Sequence, residues 1–353
     1  MRPARHTFCL LVLLALLPLM LLGCRGQGGR TKGWEGSRPT ATSQTQPSGP
    51  EPTPPATSPA PKEPTATPTA ALPAVEEPTM EECRQWLASS QELAVPIACP
   101  DWTFFRDELF KRGGGVFPVG DDRYYLVWFP DDWESVTDRK IIVSLHGTGG
   151  CAEWMLNHWY QTSTAEHAWA LVALQYYDRQ SKQYDDDAVI YQNLQTLWAD
   201  LQSHCPVAGS ALFYHGFSRG SAQSFAVAIR DRASEQLFAA FIADSGCAGL
   251  NYPTLRDAPA DALAGARFWM WCGENDVSTV DHDRMTCDVM QEDMRPYVEE
   301  HGGGVDALIQ EEGAAHGMFS GCTAEDDADC TPRKAGSLGP SLPLLFEYIE
   351  SFP

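Results

Sequence analysis

Positive charge is scarce in this sequence. Its 353 residues carry 25 Lys and Arg against 47 Asp and Glu, a formal net charge of −22. Residues 81–353 hold 18 of the basic and 42 of the acidic side chains, so the acidity lies in that part. A surface this negative repels nucleic acid and other polyanions, which excludes them as partners; its plainest reading is a well-solvated exterior. The apolar run Phe8–Leu22 is too short and too close to the N-terminus for a membrane-spanning helix. The cysteines after residue 80 show no close two-residue pairing of the zinc-ligand type. Internal repeats are absent. From Arg25 to Thr79 bulky apolar residues are almost missing as well, and Pro, Thr, Ser, Ala and Gly dominate. Such a stretch cannot offset its own ordering entropy and reads as an extended tether.

What is present at the N-terminus is an address. Arg2 and Arg5 precede the apolar run, which ends in Leu21-Leu22-Gly23-Cys24. This resembles a bacterial lipoprotein signal over residues 1–23, with Cys24 as the lipidated first residue after cleavage and the membrane as partner through it. Leu22 stands where a small residue is more usual, which leaves plain secretion or an uncleaved anchor open. The tether then occupies 24–79 and one folded domain 80–353, long enough for a sizeable core. Nine cysteines fall in that domain: Cys83, Cys99, Cys151, Cys205, Cys247, Cys272, Cys287, Cys322 and Cys330. In an exported chain they are expected to form disulfides, with at least one left over. Cys83 with Cys99 and Cys322 with Cys330 are the local pairs suggested, and Cys272, inside the apolar run Phe268–Cys272, is the candidate free thiol.

Strand and helix signals alternate along the domain. Tyr124–Phe129 and Lys140–Leu145 are β-favouring runs on either side of Pro130-Asp131-Asp132, which predicts an antiparallel start. Ala170–Gln175 is the next strand. A helical spacing of apolar residues runs from Asp186 to His204, with Asp185 to Asp187 placed to cap it. Strands follow before Gly216, at Phe238–Ala243, at Phe268–Cys272 and at Ala307–Gln310, with a helix around Met285–His301. This alternation predicts an α/β domain, a mainly parallel sheet with helices on both faces.

The chemistry gathers where such strands end. Gly216-Phe217-Ser218-Arg219-Gly220 follows an apolar run and precedes a helical segment from Ser221 to Arg230. A strand, a sharp turn with serine at its apex and a helix make a nucleophile elbow, in which flanking glycines remove colliding side chains. The pentapeptide alone is common by chance. Partners are needed, and later strand ends supply them in order. Gly273-Glu274-Asn275-Asp276 follows one strand, and Gly313-Ala314-Ala315-His316 follows the last. A serine hydroxyl needs a base within reach, histidine titrates in the right range, and a carboxylate holds the imidazole tautomer. The roles fall to Ser218, His316 and Asp276. Glu274 and Asp281 are the alternative acids; His282, His301 and His215 are the alternative bases. His146-Gly147-Thr148-Gly149-Gly150 follows Lys140–Leu145 and offers backbone amides, those of Thr148 and Arg219 forming an oxyanion hole. The lysine and serine or threonine of a phosphate-binding loop are absent there.

Together these residues resemble the α/β-hydrolase superfamily over roughly Tyr124–Pro353. Within it the chain looks like secreted esterases related to polyhydroxybutyrate depolymerases, feruloyl esterases and acetyl xylan esterases. The resemblance implies an α/β-hydrolase fold and a monomeric serine esterase without metal or organic cofactor, acting on small or polymer-linked carboxylic esters. His146, Gly147, Trp154 and Arg219 are the candidate substrate-binding residues. Arg219 departs from the small or apolar residue often found after the nucleophile, and either narrows the pocket or binds an anionic group; Ser221 stands where glycine is frequent. Trp154, His158, Trp159, Tyr160, Tyr176 and Tyr177 either line the cleft or pack in the core. Asp326, Asp327 and Asp329 form either a calcium loop or, more plainly, a solvated acidic loop. A peptidase on the same scaffold and a surface binding module without turnover are the competing functions.

Overall fold

Near-continuous apolar runs bury both of their alternating faces, so they form strands covered on two sides. The computed structural model describes residues 77–96, 103–120, 123–163, 167–178, 181–277, 284–317 and 341–353. In chain order the strands are β1 (Gly115–Pro118), β2 (Tyr124–Trp128), β3 (Lys140–Leu145), β4 (Ala170–Gln175), β5 (Tyr177–Asp178), β6 (Gln183–Tyr184), β7 (Ala211–Phe217), β8 (Phe238–Asp244), β9 (Arg267–Gly273) and β10 (Gly304–Glu311). Eight of them form one sheet in the order β1-β2-β4-β3-β7-β8-β9-β10, while β5 and β6 make a separate small hairpin. In sheet order from β4 to β10 every pairing is parallel, while β2 runs antiparallel to both its neighbours, β1 and β4.

The described helices are α1 (Met80–Ser89), α2 (Thr103–Lys111), α3 (Ala152–Ser163), α4 (Asp187–His204), α5 (Arg219–Arg232), α6 (Pro253–Arg256), α7 (Thr286–Val289), α8 (Arg295–Glu300) and α9 (Leu342–Glu350). The period of two in β3 sorts the core into two layers. Ile141, Val143 and Leu145 join α1, α4, α5, α7 and α8 on one face; Ile142 joins α2, α3 and α9 on the other. Helix α4 starts where its sequence offers a cap, Asp186 accepting from the amides of Ala188 and Val189. Between α7 and α8 the chain makes a π-helical turn at Met290–Met294 and continues helically to Glu300.

Two expectations are corrected here. Strand β2 is antiparallel, but its partners are β1 and β4, Tyr124 lying opposite Gln175. Strand β3 sits beyond β4 and parallel to it. The segment between β2 and β3 is no hairpin turn: it buries Trp133, whose indole N–H donates to the Pro206 carbonyl, and leaves room for β4 between the two strands. Strand β1, four residues ending in proline, carries no alternation that sequence reading recognises. The cysteine pairing also differs. Cys83 bonds Cys205, where α1 packs against the end of α4, and Cys272 is no free thiol but bonds Cys287. Cys151 and Cys247 are both buried, and Cys247 is a free thiol. Residues 1–76, with the signal, Cys24 and most of the tether, lie outside the described residues, as do Cys99, Asp281, His282, Cys322, Cys330 and the Asp326–Asp329 loop. Among the described residues no helix is long and apolar enough to cross a membrane.

Candidate active site

The site lies at the carboxyl ends of β7, β9 and β10. Ser218 follows β7 as the N-cap of α5 with φ 53° and ψ −111°, a backbone conformation that non-glycine residues rarely adopt. Its amide is spent on the Asp244 carbonyl at 2.8 Å, which ties the turn to the end of β8. A Cβ on Gly216 would overlap the Gly220 carbonyl, and one on Gly220 would overlap the Leu145 carbonyl. The two glycines let strand, turn and helix close to this distance.

The loops after β9 and β10 are stitched to each other. Glu274 N–H donates to the Glu311 carbonyl and Asn275 N–H to the Ala314 carbonyl, at 2.9 and 2.8 Å. That brings Asp276 and His316, 40 residues apart, into contact. His316 Nδ1 lies 2.9 and 3.0 Å from the two carboxylate oxygens of Asp276, and Nε2 lies 2.9 Å from Ser218 Oγ. With Nδ1–H donating to the carboxylate, Nε2 carries the lone pair that accepts the serine O–H. Asp276 is 1 % exposed and Ser218 6 %, while the His316 side chain is 37 % exposed. The acid is therefore dry and the base faces solvent. Among the alternatives, Glu274 accepts from Gly313 N–H and holds the loop. His301 donates from Nδ1 to the Tyr297 carbonyl at a helix end, away from the serine.

His215 is fully buried behind the site. Trp159 Nε1–H, a donor only, reaches its Nδ1 at 3.0 Å, so Nε2 carries the proton and faces Asp244 Oδ2 at 3.4 Å. Burial pushes His215 well below its ordinary pKa. Burial, then the like charges of Asp276 and Glu311, push Asp244 well above the carboxylate range. Both shifts favour the neutral forms of this buried contact behind the elbow.

A cleft of about 260 Å³ opens in front of Ser218, lined by Thr148, Arg219, Gln223, Cys247, Ala248 and Tyr252 among others. The amides of Thr148 and Arg219 donate no hydrogen bond to any described residue. Arg219 is the first residue of α5, where such free donors are expected. The neighbouring Gly149 amide is occupied by Tyr184 Oη. Two proposed substrate contacts are placed elsewhere. His146 is fully buried, its Nδ1–H on the Gly147 carbonyl at 2.8 Å and its ring against Tyr176, and burial pushes its pKa down to about 4. Trp154 packs beside Phe217 and His158. Neither is among the residues that line this cleft: His146 lies buried, and Trp154 is half-buried beside Phe217, whose ring packs against His316. Trp159 and Tyr176 are core residues as well. Gly147 packs under Phe217 and Ser218.

Residues that sequence reading passed over are Tyr252, Gln223 and Tyr184. Tyr252 is held by Asp187, which accepts from Tyr252 Oη, Arg230 Nε and Thr254 Oγ1 at 2.7, 2.7 and 2.9 Å. Nothing in the local sequence marks these contacts, because they span 43 to 67 positions. Gln223 lies one helical turn after Arg219, a spacing that was available to see. The described residues contain no cluster of histidine, cysteine and carboxylates able to hold a metal.

No family model matches the sequence, nor does any curated protein sequence. Solved structures of similar fold include a fungal esterase from Rhizomucor miehei at 14 % identity, covering 78 % of this chain and 98 % of that one with a TM-score of 0.48. Est1E from Butyrivibrio proteoclasticus is 12 % identical over 67 % of this chain and 96 % of its own, TM-score 0.42. Dienelactone hydrolase from Anabaena variabilis is 14 % identical over 57 % and 85 %, TM-score 0.40. The chain has the α/β-hydrolase fold. Its mostly parallel sheet, flanked by helices and carrying a strand, serine and helix elbow on a central strand, is that architecture.

Proposed function

We propose that this chain is an exported serine hydrolase of carboxylic esters, held at the membrane by lipid on Cys24 and acting through an acyl-enzyme. The observation that carries the reading is the unbroken hydrogen-bond chain from Ser218 Oγ through the His316 imidazole to the dry Asp276 carboxylate. In the reaction His316 Nε2 takes the hydroxyl proton as Ser218 Oγ bonds to the ester carbonyl carbon. The tetrahedral oxyanion is met by the amides of Thr148 and Arg219. The proton on Nε2 then passes to the alkoxide leaving group, and the alcohol departs. Water, deprotonated by the same nitrogen, repeats the attack and frees the acid and Ser218. Asp276 stabilises the imidazolium formed in both halves. Every step uses groups of this chain and water. The disulfides among the described residues fit an oxidising compartment, and the Leu21-Leu22-Gly23-Cys24 sequence supports lipidation.

The test is direct. Wild-type protein labels with a fluorophosphonate probe and hydrolyses p-nitrophenyl acetate, and Ser218→Ala does neither. A wild type that neither labels nor turns over short esters removes the reading. Faster cleavage of peptide p-nitroanilides than of esters transfers it to a peptidase. Loss of labelled palmitate incorporation in Cys24→Ser checks the anchor.

A further inference from the structure

Arg219 is unusual among the arginines of this acidic protein. Ten described arginines pair with a carboxylate. Arg84 donates instead to the Asp131 carbonyl. Arg219 does neither among the described residues; it is exposed and its guanidinium lies 4.0 Å above the ring of Tyr184. That ring is itself fixed, stacked on Tyr177 at 4.3 Å, with its hydroxyl on the Gly149 amide of the loop that carries Thr148. The flat face of the guanidinium is thus occupied by an aromatic shelf, while its N–H edge, the part that recognises carboxylates, has no described partner. Acidic side chains outnumber basic ones more than two to one in this domain, so leaving a cation uncommitted beside the nucleophile is a selective feature rather than an average one.

Gln223 strengthens the case. It lines the same cleft one turn along α5, and its side-chain oxygen is shielded from solvent without a hydrogen-bond partner. Rotating the amide half a turn presents N–H instead, so the residue can accept from or donate to a ligand. The N-terminal end of α5 adds its own positive potential to the same place. Resting on the esterase reading above, we propose that the preferred substrates are esters that carry a free carboxylate close to the scissile bond, and that Arg219, supported by Tyr184 and assisted by Gln223, is the residue that selects them. Its side chain then determines specificity while its amide serves the oxyanion.

Paired substrates decide this. Mono-p-nitrophenyl glutarate is compared with p-nitrophenyl butyrate for a carboxylate on the acyl side, and p-acetoxybenzoate with phenyl acetate for one on the alcohol side. Wild type is expected to favour one charged member over its neutral counterpart by about tenfold or more in kcat/KM, the gain lying mainly in KM. About 0.5 M sodium chloride shrinks that ratio by screening. Arg219→Gln lowers kcat/KM for the charged ester about tenfold more than for the neutral one, and Arg219→Lys restores part of the ratio. Preference for neutral esters on both sides overturns the proposal, and so does an Arg219→Gln variant that loses charged and neutral activity equally, which would assign the side chain to the oxyanion or the fold. In those outcomes neutral ester hydrolysis persists in the wild type and the esterase reading stands. If wild type hydrolyses no ester and takes no fluorophosphonate, both fall together.

Discussion

Ser218 holds φ 53° and ψ −111°, a conformation that costs on the order of 1–3 kcal/mol and persists only where surroundings enforce it. Here the enforcing contacts are its amide on the Asp244 carbonyl and the closely packed Gly216 and Gly220. Gly216→Ala, whose Cβ would overlap backbone rather than a movable side chain, is expected to lower the yield of soluble protein and destabilise the remainder by roughly 3 kcal/mol, measured by urea denaturation. Asp276 acts through tautomer and charge. Asp276→Asn keeps the shape but offers His316 the wrong partner, and kcat is expected to fall by about three to four orders of magnitude while the folded state survives. A loss below tenfold moves the acid role elsewhere. Asp187 is a positioning residue for Tyr252. Burial works to raise its pKa, yet the bonds from Tyr252, Arg230 and Thr254 outweigh this and lower it. Asp187→Asn is expected to raise KM several-fold with a smaller effect on kcat; equal effects on both refute a role confined to the cleft wall.

The elements that carry the site are held by covalent clips that sequence reading paired differently. Cys272–Cys287 spans 15 residues and closes the loop bearing Asp276; Cys83–Cys205 spans 122 and fastens α1 to the end of α4. Loop-closure entropy assigns about 3 kcal/mol to the shorter ring and about 5 kcal/mol to the longer. The double variant Cys83→Ser/Cys205→Ser is expected to lose more stability and keep its kcat. Cys272→Ser/Cys287→Ser is expected to lose less stability and more kcat, because the Asp276 loop slackens. Denaturation midpoints and initial rates on both variants check the crossing pattern. Spacing suggested a Cys83–Cys99 pair, since neighbours along the chain are the cheapest to join. Helix packing overrode that by bringing Cys205 to Cys83. The same override moved β3: two β-favouring runs on either side of a turn predicted an antiparallel start, and β2 is antiparallel, but the buried Trp133 crossing lets β4 come between β2 and β3. By contrast α4 was legible to within one residue and β7 and α5 to within three, because period, cap and turn chemistry are local signals.

For the molecule as a whole, pH is the informative variable. His146 and His158 are fully buried and pushed down to about 4, and His215 lies well below its ordinary value, burial being the main cause in each. These folded-state values lie below the unfolded value near 6.5, so the unfolded chain binds the extra protons and stability is lost as pH falls from about 6.5 towards 4. Asp244, raised by burial, works in the opposite sense: its folded form binds a proton the unfolded chain has released. Three histidines against one acid leave the net slope towards loss at low pH. Between about pH 7.5 and pH 5 the unfolding free energy is expected to drop by on the order of 2–4 kcal/mol, read from urea midpoints, with His158→Gln shrinking the drop. A midpoint unchanged or higher at pH 5 contradicts the neutral burial of these imidazoles.

By itself the sequence determined the class of the molecule: an α/β sheet, a serine on a strand-to-helix turn, and an acid and a histidine at later strand ends in an order such a site can use. Those features are written in local period, glycine placement and chain order, which act over a few residues. Tertiary structure decided which groups meet. It set Asp276 and His316 side by side through two loops joined by backbone hydrogen bonds, buried His146 and turned Trp154 to packing. It also opened a cleft walled by Tyr252 and left the Arg219 edge uncommitted above Tyr184. These outcomes depend on contacts between residues tens of positions apart, and such contacts exist only once the sheet has brought its strand ends together.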